Sequence, residues 1–113
     1  MSHVTVKLDA SAIQDWNSFH DSFQKAFGFP DFYGRNMNAW IDCMSDLDDP
    51  GAGMTTVHAP PGGVVILQID RAADLGRRCP ELYLAILDRA AFVNWRRIEH
   101  GEPPVLALAF DTR

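Results

Sequence analysis

The 113-residue sequence holds no apolar run approaching the ~18 residues of a membrane span. Its opening, MSHVTVKLDA, lacks the basic-then-apolar pattern of an export signal, so cytoplasmic residence is expected. Cysteine is scarce. Cys43 and Cys79 stand far apart without metal-ligand spacing, and reduced thiols are expected. Positive charge is also short. The formal net charge is −5, and the first half is acidic: Asp9, Asp15, Asp21, Asp31, Asp42, Asp46, Asp48 and Asp49 face only Lys7, Lys25 and Arg35. A nucleic-acid binder would show a basic stripe, so the charge argues against that class, whereas a basic partner is allowed. No glycine-rich phosphate loop follows a strand, since PPGG at 60–63 precedes one. His3, His20, His58 and His100 have no ligand-like spacing with each other or with the cysteines. Repeats and low-complexity segments are absent. With 47% hydrophobic residues, one globular domain over residues 1–113 is expected, large enough to bury a core without disulfides or metal.

What is present alternates between strand and helix patterns. HVTVKL (3–8) alternates apolar and polar residues, as a half-exposed strand does. Trp16, Phe19, Phe23 and Phe27 recur at helical spacing, with Asp15, Asn17 or Ser18 to cap the start and Gly28 and Pro30 to end it. VVILQI (64–69) reads as a strand covered on both faces. From Pro80, the series Leu84, Leu87, Ala91, Trp95 and Ile98 marks a long helix, stopped by Gly101, Pro103 and Pro104. VLALAF (105–110) reads as a third, fully apolar strand. This order predicts a small α/β layer fold with a parallel sheet.

Between the first helix and the second strand lies FPDFYGRNMNAWIDCMSDLDDP. GFPDFYG is a turn in which Gly34 is expected to supply the backbone freedom of a sharp reversal and Tyr33 to pack inward. Asn36 is placed to cap a helix from Met37 to Leu47 whose Met37, Trp40, Met44 and Leu47 face the core. Asn38, Ile41 and Asp42 share another face, an amide, an exposed aliphatic and a carboxylate, with Asp46 one turn on and Asp48 and Asp49 beyond. General acid–base catalysis by these acids is disfavoured, because little desolvates them on an exposed helix. Beside a carboxylate, Cys43 makes a poor nucleophile. A hard-cation site at Asp46, Asp48 and Asp49 lacks the twelve-residue calcium loop, so no metal is expected and a chelator should leave the melting temperature unchanged.

The ordered stretch resembles the signature of the barstar family: Pro30, Asp31, Phe32, Tyr33, Gly34, Arg35 and Asn36, then a helix ending in Asp42 and Cys43. The match covers about seventeen residues, and beyond it the layout of strands and helices is similar. The resemblance implies a barstar-like α/β fold, a three-stranded parallel sheet flanked by helices, with no cofactor. It also implies no enzymatic activity. The function it implies is that of an intracellular immunity protein or antitoxin, which blocks a bacterial ribonuclease with an acidic helix that mimics RNA phosphates. The partner implied is a basic ribonuclease or related toxin, with no direct contact to nucleic acid or membrane, and the free protein is expected to be a monomer. Carried over residue by residue, Asp42 matches the principal inhibitory carboxylate. Phe32 stands at a contact tyrosine, Asn38 at a second contact acid, and Ile41 at an exposed tryptophan. Asp46 borders them, and Glu99 is the candidate for a late-helix acid, in a helix end whose Arg96 and Arg97 otherwise suit the helix dipole. The connection at 48–63 is longer than in the family. A non-inhibitory interaction module using the same face is the alternative.

Overall fold

A computed structural model describes residues 2–112. The elements run β1 (His3–Asp9), α1 (Trp16–Phe27), α2 (Met37–Ser45), β2 (Val64–Asp70), α3 (Ala72–Arg78), α4 (Pro80–Glu99) and β3 (Leu106–Phe110). All strands are parallel in the order β1-β2-β3, with Val6 opposite Leu67 and Leu67 opposite Leu108. The barstar-like α/β architecture expected from the sequence is the one observed. Among the described residues, no helix is long and apolar enough to cross a membrane.

Sheet order explains a departure from the sequence reading. Both crossovers step in the same direction, and right-handed connections then place their helices on one face of the sheet. Val65, Leu67 and Ile69 are accordingly fully buried, while Val64, Ile66 and Gln68 between them are only half-buried. β2 is therefore covered completely on one face alone. β3 departs too: its hydrophobic residues form a sheet edge, and Leu108 and Ala109 are exposed.

Local chemistry sets the ends of the elements. At α1, the Asp15 carboxylate accepts from the Ser18 N–H at 2.8 Å and the Ser18 hydroxyl accepts from the Asp15 N–H at 3.1 Å, a capping box. Gly28 closes the helix in the left-handed region at φ 67°. A side chain there would also run into Thr56, whose N–H donates to the Phe27 carbonyl at 2.9 Å. Gly28→Ala is expected to cost about 2–4 kcal/mol, from left-handed strain plus displacement of Thr56, read as a lower denaturant midpoint at unchanged slope.

Helix α3 was missed in the sequence because it is a single short stretch, AADLGRR, containing a glycine and entered through Arg71 without a side-chain cap. Helix α4 was found with its face reversed. Its buried residues are Leu82, Ile86, Ala90, Val93 and Arg97, whereas Leu84, Trp95 and Ile98 are exposed.

An aromatic column ties α1 to the turn and to α2. Phe19 and Phe23 rings lie 4.8 Å apart, Phe23 meets Trp40 edge-on at 5.6 Å, and Phe29 meets Tyr33 at 4.8 Å. The buried His20 Nδ1 and Tyr33 Oη share a hydrogen bond at 2.6 Å, and the packed role expected for Tyr33 is the one observed. Burial, then the nearby Arg35 charge, holds the His20 pKa below its ordinary value, and burial pushes the Tyr33 hydroxyl up.

Candidate partner-binding face

The turn at 29–36 is held by local hydrogen bonds and by one unusual residue. The Tyr33 N–H donates to the Pro30 carbonyl at 2.9 Å, and the Asn36 side chain accepts the Ala39 N–H at 2.8 Å as the expected cap of α2. The reversal itself falls on Arg35 at φ 54°, not on Gly34. Three residues of α1 hold that strained residue: its guanidinium donates to the Asn17 side chain at 2.7 Å and carbonyl at 3.0 Å and to the Gln24 side chain at 3.3 Å, and pairs with Asp21 at 2.9 Å. The turn is thereby fastened to α1, and it projects Phe32 outward at 76% exposure.

Helix α2 ends at Ser45, two residues earlier than expected, and buries Trp40, Ile41, Cys43 and Met44. Ile41 is 6% exposed, so the aliphatic residue expected on the outer face belongs to the core. It lies about 60° round the helix from Asn38, on the side away from Asp42 and next to Met37 and Met44, where α4 covers it, and spacing on one helix does not reveal how wide a neighbouring helix makes the buried stripe. Asn38 and Asp42 do stand outside. Phe32 and Asp42 line one recess with Tyr33, Ala39, Cys43 and Met54, of about 170 Å³. Met54 comes from the 48–63 connection, which is held by Thr56 on Phe27 and by the Ala59 N–H on the Leu47 carbonyl at 2.8 Å. The long connection is thus a packed wall of the recess, a role with no signal in the sequence.

The acids are treated unequally. Asp42 keeps 65% of its side-chain surface and has Arg96 Nη2 at 3.8 Å. Asp48 is gripped at both oxygens by Arg97, at 3.1 and 2.6 Å. Arg97 is 4% exposed, and its remaining donors reach the Ser45 carbonyl at 2.8 Å, the Pro103 carbonyl at 2.9 Å and Glu102 at 3.3 Å. The two arginines therefore turn across to the end of α2, and serving the dipole of their own helix is not their main contact. Sequence reasoning missed this because the partners lie about fifty positions apart. Glu99 is exposed in the last turn of α4, beyond these contacts.

Asp46 caps α2 and is half-buried. Burial, and then the charges of Asp49, Asp48 and Asp42, push its carboxyl above the ordinary range despite Arg97. Burial, with Asp42 and Asp46, also lifts the Cys43 thiol to about 11, which keeps it protonated and unreactive at neutral pH. The sign for Asp46 follows from linkage. A raised carboxyl pKa in the folded state means that stability is lost as pH rises through the window above 3.8. Asp46→Asn is expected to raise the melting temperature at pH 7 by about 1–3 °C, from relief of like-charge pairs worth roughly 0.2–0.5 kcal/mol. The gain should shrink below pH 4, and an equal gain at all pH values would refute the charge explanation.

Taken together, the face offers one largely exposed carboxylate, one half-buried carboxylate, an outward aromatic ring and a shallow recess between them. Such a surface can accept a cationic group and a planar ring side by side. No curated protein matches the chain. A family model described as Barstar (barnase inhibitor) matches residues 3–102, nearly the whole chain, and the chain belongs to the barstar family.

Proposed function

We propose that this protein binds and blocks a basic bacterial ribonuclease in the cytoplasm, with Asp42 seated among the cations that hold the RNA phosphate. The observation that carries this reading is the placement of Asp42: exposed, on a helix fixed by its buried side, beside the outward Phe32 ring. A carboxylate held this way reproduces the charge and hydrogen-bonding capacity of a phosphate without being cleavable, so inhibition needs no chemistry from this chain and no cofactor. Asn38, Asp46 and Glu99 would surround the central contact. Ile41 supports the helix from beneath and does not touch the partner. Acidity concentrated in the first half speeds encounter with a positive enzyme, an effect that salt weakens.

Titrating a small guanyl-specific bacterial ribonuclease with this protein tests the reading. Stoichiometric loss of RNA cleavage is the expected result. Binding that leaves cleavage intact would instead support the interaction module. That second reading is favoured by one feature: Arg96 and Arg97 already neutralise part of the acidic end within the fold.

A further inference from the structure

The residues placed around Asp42 are few, whereas a stable protein–protein interface puts roughly 20–30 residues on each side, centred on well-packed aromatic or arginine anchors. A complete binding surface must therefore reach beyond α2 and the Phe32 turn. Toward the 48–63 connection the surface continues into exposed Pro50, Gly51 and Ala52, which offer no large side chain. Helix α2 itself offers no ring, since Ile41 is buried and Asn38 is an amide. Toward α4 the surface meets two exposed aromatic rings, Phe92 and Trp95, at 40% and 57% exposure.

These rings are continuous with Asp42 by contact. Arg96 Nη2 stands 3.8 Å from the Asp42 carboxylate, and the same guanidinium lies 5.8 Å from the centre of the Phe92 ring. Phe92 also borders Asn38 across a recess of about 280 Å³ that includes Asp88 and Arg89. Trp95 then stacks on Phe92, with centroids 6.0 Å apart and planes at 26°. Helix geometry fixes their directions. Leu82, Ile86, Ala90, Val93 and Arg97 mark the inward side of α4. At roughly 100° per residue, Trp95 points directly away from that side, Arg96 leans toward α2, and Phe92 falls between the two. Asp88 and Glu99 share the Phe92 and Trp95 quarter, and both are exposed. Asp88, Phe92, Trp95 and Glu99 thus form one outward row, two rings flanked by two acids, running beside Asn38 and Asp42.

We propose that this row is the second half of the ribonuclease-binding face, with Trp95 as its aromatic anchor. The inference rests on the ribonuclease reading above and extends it from the phosphate site to the enzyme's outer surface. The occupant is a lysine or arginine side chain of the basic ribonuclease, outside its catalytic centre. Its aliphatic stem lies across the outer face of the Trp95 ring and its charge meets a carboxylate of the row. Asp88 already pairs with Arg89, whereas Glu99 is exposed one turn past Trp95, so Glu99 takes that charge. Arg96 stays within the fold, between Asp42, Ser45 and the Phe92 ring. Acids beside exposed rings suit a cationic partner and would repel an acidic one, so the row adds selectivity as well as contact area.

Calorimetric titration of a small guanyl-specific bacterial ribonuclease with the full chain and its variants tests the proposal. Trp95→Ala changes an exposed side chain, so its circular dichroism spectrum and melting temperature should match wild type. Its affinity should fall about tenfold to a hundredfold, and Trp95→Phe should recover most of the loss. Glu99→Gln should weaken the wild type about threefold and leave the Trp95→Ala variant unchanged, because one partner side chain serves both residues. A wild type that inhibits stoichiometrically while Trp95→Ala binds within twofold of it overturns the anchor and leaves the ribonuclease reading standing. A wild type that neither binds nor inhibits overturns both. A sedimentation mass above 12.6 kDa for the free wild type that Trp95→Ala returns to 12.6 kDa, with ribonuclease affinity unchanged, would assign the row to a second copy and overturn the proposal.

Discussion

Asp42→Ala is expected to weaken binding of the partner ribonuclease by roughly 2–5 kcal/mol, about thirtyfold to several thousandfold, a range that charge pairs in barstar-type interfaces themselves help define. The physical reason is asymmetric. In the free protein Asp42 is 65% exposed and well hydrated, so its removal costs the fold little. In the complex, the cations that would meet it are left dehydrated without a counter-charge, and that penalty dominates the loss. The change should fall mainly on the dissociation rate, because the remaining acids still steer encounter. Arg96→Met is expected to act in the opposite direction. Arg96 Nη2 stands 3.8 Å from Asp42 and also donates to the Ser45 hydroxyl at 2.6 Å, so it competes weakly for the carboxylate a partner needs. A gain of a few-fold in affinity, on the order of 0.5–1 kcal/mol, should follow. Calorimetric titration of both variants at low and physiological salt checks the pair. Affinity within twofold of wild type for Asp42→Ala would remove it from the centre of the interface.

The second large effect is on stability. Arg97→Met is expected to destabilise the fold by about 2–4 kcal/mol, lowering the melting temperature by on the order of 10–20 °C. Arg97 is 4% exposed and joins three segments, through the Ser45 carbonyl, Asp48 and the Pro103 carbonyl. Methionine fills much of the same volume but satisfies none of those acceptors. Asp48 is 37% exposed and can recover water, which keeps the cost below that of a fully buried pair. Glu102→Gln serves as the control. That carboxylate is 54% exposed at 3.3 Å, and its loss should cost less than about 1 kcal/mol. Equal effects of the two variants in chemical denaturation would show that burial of Arg97 does not matter. Because Arg97 fixes the end of α2, partial loss of binding should accompany the loss of stability.

The sequence by itself determined the features whose causes are local. The Asp15–Ser18 box and the Asn36 cap are settled by side chains bonding to backbone three positions away, and the Gly28 stop by the left-handed backbone that glycine adopts without strain. The strand patterns and the family signature are similarly contiguous, so the parallel α/β fold and the exposed Asp42 were readable in advance. Tertiary structure decided which of two apolar stripes on α4 faces inward, because both obey the helical period and only the neighbouring sheet breaks the tie. It decided that Ile41 is covered, by bringing α4 beside α2. It decided that Arg97 grips Asp48 and that Met54 joins Phe32 and Asp42, contacts between residues that spacing along the chain cannot relate. Local bonds declare themselves in a few residues, whereas burial and charge pairing belong to surfaces that exist only once distant segments have packed.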